Sequence, residues 1–591
     1  MVIHVLKVEK PPTNSRCFPN IRRKNYKPQS QNFFPNNMDE LKPTRANSTP
    51  LTPLSFLERT ALVYGDCPSI IYNTTTYTWS ETRHRCLQAA SAITTIGIKR
   101  KQVVSVVAPN VPAAYELHFA VPMAGAILNN INTRLNSITI STLLHHSESK
   151  LVFVYHELCS LVLEAVSLLP SEHPHPLLIL ISDNDDNSPT PGEFWGSYED
   201  LLKGGDPMFK WIAPESEWDP IVLNYTSGTT SSPKGVVHCH RGTYISALDA
   251  VMDWSVPKQA VYLWVLSMFH VNGWAFTWGM AAVGATNICL RQFDGAKIHD
   301  LIRRYQVTHL CAAPVVLNML TDKSNTAATQ ILDHPVHVLT AGSPPPASVI
   351  LRAEALGFVV SHGYGLTETG GVTVSCAWKP KWNGLPANER AQLRARQGVR
   401  TLAMTAVDVV DPTTNKPVSR DGKTNGEIVQ RGSCIMLGYF KNPQATLNCM
   451  GDDGWFRTGD LGVMHADGYI MIKDRSKDII ISGGENISSV EVESVLYTFP
   501  GVNEAAVVAQ PHEFWGETPC AFVCFNTEVK VRPTEKEIID FCRDRLPHYM
   551  VPKKVIFKDD LPKTATGKIK KLVLREIARA MIMGPAKSSR L

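Results

Sequence analysis

The sequence predicts an α/β fold with a large amino-terminal domain, in which parallel sheets are flanked by helices, and a small carboxyl-terminal domain. Apolar β-rich runs alternate with helical stretches, as where "KQVVSVVAPN" precedes "VPAAYELHFAVPMAGA". Alternation of strand, loop and helix is typical of parallel sheets, which bind ligands at the carboxyl ends of their strands. At 591 residues the chain also exceeds what one hydrophobic core usually supports.

The same pattern recurs along the chain before its texture changes. "SKLVFVYH" precedes "LCSLVLEAVSLL", and "PVHVLTAGS" precedes "PPASVILRAEAL". From about residue 405, short strands such as "GEIVQRG" and "GYIMIKDR" are separated by Gly and Asp, which predicts a small β-rich subdomain. After residue 475, a strand-and-helix segment ending in "KLVLREIARAMI" predicts a small α+β domain.

These changes predict three parts: a disordered basic extension at 1–37, an amino-terminal domain at 38–474 and a carboxyl-terminal domain at 475–591. The extension carries seven Lys and Arg against Glu9, a net +6 within the chain's net +5, so the rest carries about −1. No basic stripe for nucleic acid survives that subtraction. A transit peptide, and a start at Met38 instead of Met1, stay open as alternatives.

Composition excludes other classes of protein. Hydrophobic residues make up 44% and charged residues 19%, which is typical of folded proteins. Apolar runs such as "PLLILIS" at 176–182 are too short to span a bilayer. The 13 cysteines include no CxxC pair, so we expect buried thiols in a reducing compartment and no zinc site.

The segment "LNYTSGTTSSPKGVVHCH" at 223–240 indicates a phosphate-binding loop. Six hydroxyls lie between Thr226 and Ser232, and Lys234 follows them. Glycine lets the backbone approach an anion, and hydroxyls and an ammonium add donors. A flexible solvated turn is the alternative. The Walker order G-x-x-x-x-G-K-[ST] is not met, because Lys234 precedes Gly235; dinucleotide, nucleophile-elbow and metalloprotease motifs are also missing.

Five separate motifs occur in one order along the chain. They are "YTSGTTSSPKG" at 225–235, "HGYGLTET" at 362–369, "GWFRTGD" at 454–460, "KDRSKDIIISGGENI" at 473–487 and "PKTATGKIKK" at 562–571. Together they resemble the adenylate-forming family of acyl-CoA synthetases, 4-coumarate–CoA ligases, firefly luciferase and peptide-synthetase adenylation domains. The resemblance covers about residues 50–575. The text around 103–135 looks most like plant peroxisomal acyl-activating enzymes, a group that includes a benzoate–CoA ligase.

This resemblance implies an acid–thiol ligase that uses ATP, Mg²⁺ and coenzyme A. A carboxylate attacks the α-phosphate of ATP, pyrophosphate leaves, and coenzyme A then displaces AMP from the acyl-AMP. The family pattern implies that the β- and γ-phosphates bind to Thr226, Ser227, Gly228, Thr229, Thr230 and Lys234. It implies that Thr367 donates to the α-phosphate and that Glu368 holds Mg²⁺, a hard cation that prefers carboxylate oxygen.

Other roles carry over in the same way. The resemblance implies that Asp460 and Arg475 hold the ribose, that Lys568 stabilises charge during adenylation, and that Lys477 is the hinge of a mobile carboxyl-terminal domain. The adenine would contact Gly342, Ser343, Pro344 and Tyr364. The thiol tunnel of the second step would be lined by Gly483, Gly484 and Glu485. Considered singly, Glu368 could be a helix N-terminal carboxylate, Asp460 a turn residue and Lys568 a solvated lysine.

The acyl pocket is less determined by the sequence. By resemblance, "MFHVNGWAFTWG" from 268 places His270 at the pocket mouth and Gly273, Trp274 and Phe276 along its wall. The absence of charge between Met268 and Leu290 argues against a dicarboxylate held by this segment, and favours a short or medium-chain fatty acid or an aromatic acid. A buried hydrogen-bonded His270 and core-filling aromatic residues are the alternatives.

The terminal tripeptide Ser589, Arg590 and Leu591 has a small, a basic and a leucine residue in the same order as the peroxisomal S-K-L signal. It predicts a peroxisomal import receptor as a partner. The basic extension leaves a second address open. Three rival functions share the motifs: a luciferase-like adenylate-forming oxidase, a carrier-loading adenylation enzyme and a non-catalytic binding protein. The last would be expected to lack Lys568 or Glu368, and both are present.

Overall fold

A computed structural model describes Met38 and residues 41–172, 174–183, 192–226, 233–321, 331–342, 345–475, 478–483, 485–526, 532–564 and 567–583. Several predicted features therefore lie outside the described residues: the extension 1–37, Ser227, Gly228, Thr229, Thr230, Ser343, Pro344, Lys477, Gly484, Ser589, Arg590 and Leu591. The chain divides into two compact units, Met1–Thr49 and Pro50–Leu591. In the first unit, the backbone N–H of Thr44 donates to Asn47 Oδ1 at 2.6 Å, which closes an exposed turn.

Strands and helices alternate through the second unit. Its first elements are α1 (Leu54–Val63), β1 (Pro68–Tyr72), β2 (Thr75–Thr78), α2 (Trp79–Thr95), β3 (Val103–Val107), α3 (Pro112–Met123), β4 (Ile127–Asn130), α4 (Ser137–Ser147), β5 (Leu151–Tyr155), α5 (Cys159–Ser167), β6 (Leu177–Ile181), β7 (Gly196–Ser197) and α6 (Tyr198–Lys203). The next are β8 (Pro220–Tyr225), β9 (Gly235–Cys239), α7 (His240–Asp253), β10 (Val261–Trp264), α8 (Val271–Val283), β11 (Thr286–Cys289), α9 (Gly295–Tyr305), β12 (His309–Ala312), α10 (Pro314–Leu320), β13 (Val336–Thr340), α11 (Ala347–Ala355), β14 (Phe358–Leu366), β15 (Gly371–Ser375), α12 (Ala387–Arg394) and β16 (Val399–Arg400). The last are β17 (Met404–Val410), β18 (Gly426–Gly432), β19 (Gly438–Tyr439), α13 (Pro443–Cys449), β20 (Phe456–Met464), β21 (Ile470–Arg475), β22 (Ile480–Ser482), β23 (Glu485–Ile487), α14 (Ser489–Leu496), β24 (Val502–His512), β25 (Gly516–Phe525), α15 (Glu535–Arg543), β26 (Lys554–Phe557) and α16 (Lys571–Met583).

Two large sheets form the first part of this unit, which confirms the predicted α/β class. In one, the strand order is β16-β15-β14-β13-β12-β10-β11-β1-β2, and in the other it is β19-β9-β8-β4-β3-β5-β6-β7. Central neighbours such as β3 and β5, or β12 and β13, are parallel. Edge pairs such as β8 and β9, or β14 and β15, are antiparallel, and these edges lead into the predicted site.

Helix α3 lies in the apolar core between the two large sheets. It is buried on every side and contacts β1 of one sheet and β3 and β4 of the other. Its one carboxylate, Glu116, is fully buried and forms an ion pair with Arg85 of α2 at 2.6 Å. The Tyr198 hydroxyl donates to the other Glu116 oxygen at 2.8 Å. This network fixes α2, α3 and α6 together, since a buried carboxylate needs such partners.

Two smaller sheets complete the unit. The order β17-β18-β20-β21 is an antiparallel sheet, which confirms the predicted β-rich subdomain. The last sheet, β23-β22-β25-β24 with β26 parallel to β25, has its own apolar cores. Helices α14 and α15 pack in one core, and α16 packs in a second. The predicted small α+β fold is thus observed, and the boundary at residue 475 stays a prediction.

Candidate active site

The base of the hydroxyl-rich loop is a two-stranded hairpin. Tyr225 of β8 lies opposite Gly235 of β9, and the Thr226 N–H donates to the Lys234 carbonyl at 3.1 Å. A Cβ on Gly235 would come 2.9 Å from Leu223 Cδ1, so a larger residue there would require the Leu223 side chain to shift. The structure therefore brings Thr226 and Lys234 together.

A tyrosine that the sequence did not indicate connects the loop lysine to Glu368. Strand β19 pairs with β9 and places the Tyr439 ring 4.7 Å from Lys234 Nζ. The Tyr439 hydroxyl donates to Glu368 Oε1 at 2.8 Å. Burial and the Glu368 charge raise the pKa of Tyr439, so the phenol keeps its proton and remains a donor. The Lys234 ammonium and the Glu368 carboxylate thus lie on either side of the Tyr439 phenol. The ammonium can bind a phosphate, and the carboxylate can bind the cation that accompanies it.

The backbone of the Thr367–Glu368 turn is fixed from both sides. Strand β14 is followed by a short 3₁₀ helix at Thr367–Thr369 with Glu368 in its first turn, so the alternative of a helix N-terminal carboxylate stays open. His238 of β9 donates from Nε2 to the Thr367 carbonyl at 2.7 Å, because a carbonyl can only accept. The Met436 N–H donates to the Glu368 carbonyl at 2.8 Å. These bonds fix where the two side chains start.

Asp460 is the centre of a second polar cluster. It accepts a hydrogen bond from the Tyr364 hydroxyl at 2.6 Å, and Arg475 Nε lies 3.5 Å from its other oxygen. Asp460 and Arg475 are directly opposite in the β20–β21 pair. Burial and the Asp460 charge raise the pKa of Tyr364. The predicted ribose pair is therefore assembled, with Tyr364 positioning its carboxylate.

Lys568 lies near this ribose pair although it is almost a hundred residues further along the chain. It sits in a tight turn where Thr564 N–H donates to the Lys568 carbonyl at 2.7 Å and Lys568 N–H donates to Thr564 Oγ1 at 3.1 Å. Burial and the Arg475 charge lower the pKa of Lys568 to about 8, while Asp460 opposes the shift. Lys568 is thus half-buried and not a solvated lysine.

Gly342 and the residues predicted for the thiol tunnel occupy two other parts of the fold, the end of β13 and the β22–β23 hairpin. Gly342 follows β13 with φ +90°, a conformation that favours glycine, and a Cβ there would meet no described atom within 4 Å. Gly483 and Glu485 are exposed on the β22–β23 hairpin, where the Gly483 N–H donates to the Trp515 carbonyl at 2.8 Å. Within the described ranges, no hydrogen bond or ion pair joins them to Lys568 or to the ribose pair.

His270 precedes the helix that the resemblance assigned to the acyl pocket. Its Nε2 is buried and has no hydrogen-bond partner among the described residues, so the alternative of a satisfied histidine is not supported at this nitrogen. Burial and the Arg134 charge lower the pKa of His270 to about 4, so the ring is neutral near pH 7. A Cβ on Gly273 would lie 1.7 Å from the Met268 carbonyl oxygen, so the chain can turn into α8 only with glycine there.

Two further residues shape this region without an evident signal in the sequence. His238 packs against Trp274, with ring centroids 5.2 Å apart. Asn110 donates to the Trp264 and Leu266 carbonyls at 3.0 and 3.1 Å and accepts from the Met268 N–H at 2.8 Å. Trp274 is 1% exposed. An aromatic wall is thus packed directly against the strand that holds the Thr367 turn.

Glu368 fits magnesium held jointly by protein and nucleotide. Mg²⁺ usually binds one or two carboxylates together with substrate phosphates. In the described part of the chain, no three His, Cys, Asp or Glu side chains cluster as a closed metal site would require. Glu368 nevertheless offers a hard oxygen ligand beside Lys234, so the residues fit that cation.

None of the described helices has the length and apolarity needed to cross a bilayer.

Comparison with known proteins identifies the family. The pattern of the AMP-binding enzymes matches residues 57–440, and that of the AMP-binding enzyme C-terminal domain matches residues 491–568. The chain belongs to the AMP-binding enzyme family. This confirms the resemblance to adenylate-forming enzymes, a family that uses ATP.

This AMP-binding enzyme is similar to plant proteins over nearly its whole length. It is 61% identical to a 2-methylpropanoate–CoA ligase, CCL4, of Humulus lupulus, over 94% of this chain and 100% of that protein. It is 60% identical to the probable acyl-activating enzyme 5, peroxisomal, of Arabidopsis thaliana, over 94% and 100%. These relatives favour an acid–CoA ligase over the oxidase and carrier-loading alternatives.

Solved structures share the fold. A benzoate–CoA ligase from Burkholderia xenovorans LB400 matches with a TM-score of 0.76 at 24% identity, over 89% of this chain and 99% of that one. An anthranilate–CoA ligase in complex with anthranoyl-AMP matches with a TM-score of 0.79 at 22% identity, over 91% and 99%. The predicted architecture is therefore confirmed at the level of fold.

Proposed function

We propose that this AMP-binding enzyme is an ATP-dependent carboxylic acid–CoA ligase that forms an acyl-AMP and then an acyl-CoA thioester. One observation carries the proposal: Lys568 lies near enough to Asp460 and Arg475 for their charges to shift its pKa, so a positive charge reaches the site proposed for the nucleotide. The barrier to joining a carboxylate to a triphosphate is largely charge repulsion, which positioned cations lower.

In the proposed first step, the substrate carboxylate attacks the α-phosphorus of ATP. A new oxygen–phosphorus bond forms, the bond to the bridging oxygen of the β-phosphate breaks, and pyrophosphate leaves. Lys568 holds the attacking carboxylate and the α-phosphate together, where negative charge develops. Asp460 accepts hydrogen bonds from the ribose hydroxyls, and Arg475 lies next to Asp460 at the ribose. Thr367 donates a hydrogen bond to the α-phosphate. The adenine contacts Gly342, Ser343, Pro344 and Tyr364.

We propose that the β- and γ-phosphates bind between the hydroxyl-rich loop and Lys234. Thr226 and Lys234 close the base of that loop, and Ser227, Gly228, Thr229 and Thr230 complete it. Glu368 would hold Mg²⁺, which neutralises phosphate charge when bound. Tyr439 orients the Glu368 carboxylate through its hydroxyl.

In the proposed second step, the thiolate of coenzyme A attacks the acyl carbonyl, and AMP leaves with the electron pair of the broken anhydride bond. Gly483, Gly484 and Glu485 line the thiol tunnel once the domain 475–591 has turned against the domain 38–474 about Lys477. The exposure of Gly483 and Glu485, which form no described hydrogen bond or ion pair with Lys568, supports such a turn.

The proposed substrate is a short or medium-chain aliphatic acid or an aromatic acid. The wall is formed by buried Trp274 and Phe276, and His270 is neutral, so no charge on the described wall favours a second carboxylate. The relative named for 2-methylpropanoate favours a short branched acid among these. His270 would gate or orient the acid at the pocket mouth.

We place the enzyme in the peroxisome. One relative is named peroxisomal, and the terminal Ser589, Arg590 and Leu591 would bind the import receptor. Deleting these three residues from a fluorescent fusion should leave it outside peroxisomes. A second address in residues 1–37 would instead send that truncated fusion to another organelle.

The test is a product assay with purified protein, ATP, Mg²⁺, coenzyme A and a panel of short branched, medium-chain and benzoic acids. We expect an acyl-CoA detected by mass spectrometry and AMP in equal amount, and loss of both in Lys568→Ala. AMP release at the wild-type rate in that variant, or an oxidised product without a thioester, would refute the proposal.

A further inference from the structure

A buried hydrogen-bonded chain joins β21 to the start of α16. The Ser489 N–H donates to Asp474 Oδ2 at 2.9 Å, and the Ser489 hydroxyl donates to the same oxygen. Lys571 Nζ in turn donates to Ser489 Oγ at 2.5 Å. Asp474 is 4% exposed and Ser489 0% exposed, so these polar groups depend on one another for hydrogen bonds.

Each end of the Asp474–Ser489–Lys571 hydrogen-bonded chain adjoins a residue of the proposed active site. Asp474 directly precedes Arg475 on β21, and successive side chains of a strand point to opposite faces. Lys571 is the first residue of α16 and follows the Lys568 turn by three positions. These hydrogen bonds therefore link β21, the strand that carries Arg475, to the turn that carries Lys568.

Other contacts hold the Lys571 end in place. Lys571 forms an ion pair with Glu493 at 2.8 Å, and the same Glu493 oxygen accepts the Val507 N–H at 2.7 Å. Although burial opposes it, the carboxylates of Glu493 and Asp474 raise the pKa of Lys571, so the ammonium stays charged. One turn later on α16, Arg575 forms an ion pair with Asp478 at 2.9 Å.

We infer that the Asp474–Ser489–Lys571 chain positions Lys568 against the Asp460–Arg475 pair and so favours adenylation over thioester formation. This inference rests on the proposed function. Asp474 lies before the proposed hinge and Ser489 lies after it. Turning the carboxyl-terminal domain about that hinge therefore breaks the Asp474–Ser489 bonds and moves Lys571 away with Ser489. Lys571 is thus a positioning residue and not a catalytic one.

The test separates the two half-reactions in Ser489→Ala and Lys571→Met. Adenylation is followed by acid-dependent exchange of labelled pyrophosphate into ATP, and thioester formation by supplying acyl-AMP and coenzyme A. We expect exchange to fall by about ten- to a hundredfold, the effect of losing a hydrogen bond to a charged group. Thioester formation from acyl-AMP should be unchanged or faster. Lys571→Arg should restore much of the exchange.

Lys570→Met is the matched control, because Lys570 is an exposed neighbour of the same charge. It should leave both half-reactions unchanged. An equal fall in both half-reactions, or unchanged exchange in both variants, would overturn the inference. If Lys571→Met lowers the unfolding temperature, its loss of exchange could reflect instability. The result for Ser489→Ala, which is the smaller change, then decides whether the inference holds. Failure of the wild-type protein to exchange pyrophosphate with any acid would instead refute the proposed function itself.

Discussion

The lowered pKa of Lys568 predicts that adenylation is lost as the pH rises through about 8. The lysine must be charged to hold two anions together, and in the free enzyme it is half-buried near the Arg475 charge. From a pKa of about 8, roughly nine-tenths of the molecules carry the charge at pH 7 and roughly one-tenth at pH 9. The value of kcat/KM for pyrophosphate exchange should therefore fall about tenfold between these two pH values.

The assay is a pH profile of exchange at low and at saturating ATP. The alkaline limb is the pH range over which a rate constant falls as Lys568 loses its proton. The limb of kcat/KM reports the free enzyme, and the limb of kcat reports the enzyme–substrate complex. Bound triphosphate should move the limb of kcat to higher pH, because it stabilises the Lys568 ammonium. Arg475→Gln should move the limb of kcat/KM upward, since the Arg475 charge lowers the pKa of Lys568. The residual rate of Lys568→Ala should show no such limb. A wild-type profile that is flat from pH 7 to pH 10, or an equal limb in Lys568→Ala, would refute the reasoning.

Three other changes have expected outcomes. Asp460→Asn removes the proposed charged acceptor for the ribose, worth about 1.5–3 kcal/mol, so the KM for ATP should rise by about ten- to a hundredfold; an unchanged KM would contradict that role. Gly273→Ala places a methyl group 1.7 Å from the Met268 carbonyl oxygen and should destabilise the fold by about 1–3 kcal/mol or more, seen as a lower unfolding temperature. Gly384→Ala, whose Cβ would meet no described atom within 4 Å, is the control and should not change it. Glu116→Gln removes the buried carboxylate that pairs with Arg85, while Glu199 still pairs with Arg85 at 2.6 Å, so it should cost about 1–3 kcal/mol of unfolding free energy in denaturant; a loss below about 0.5 kcal/mol would contradict the buried network.

Much of the fold follows from local patterns. "VVSVV" at 103–107 is buried on every side, as expected for a central parallel strand, and "PAAYELHFAVPM" at 112–123 is mostly apolar and buried all round because it lies between two sheets. The antiparallel edges were not predicted. Pairing of β8 with β9 depends on backbone hydrogen bonds across the hydroxyl-rich loop, which leave no periodic signal in the residues.

Some residues of the active site could be predicted from the sequence, and others could not. Lys568, Asp460 and Arg475 occur in family motifs, so their roles could be proposed before their proximity was known. Tyr439 could not, because its position depends on a two-residue strand that pairs with β9 across about 200 residues of chain. His238 also escaped notice, since "GVVHC" is buried on both faces and the alternation that marks a side chain facing a site is missing.

The central claim is that this enzyme joins a carboxylate to AMP before any thiol takes part. The most direct measurement is exchange of labelled pyrophosphate into ATP without coenzyme A, with and without a short branched acid. The account predicts exchange that needs both the acid and Mg²⁺ and that falls to a small residual rate in Lys568→Ala. Exchange that is independent of the acid, or no exchange with any acid while a thioester still forms, would contradict it.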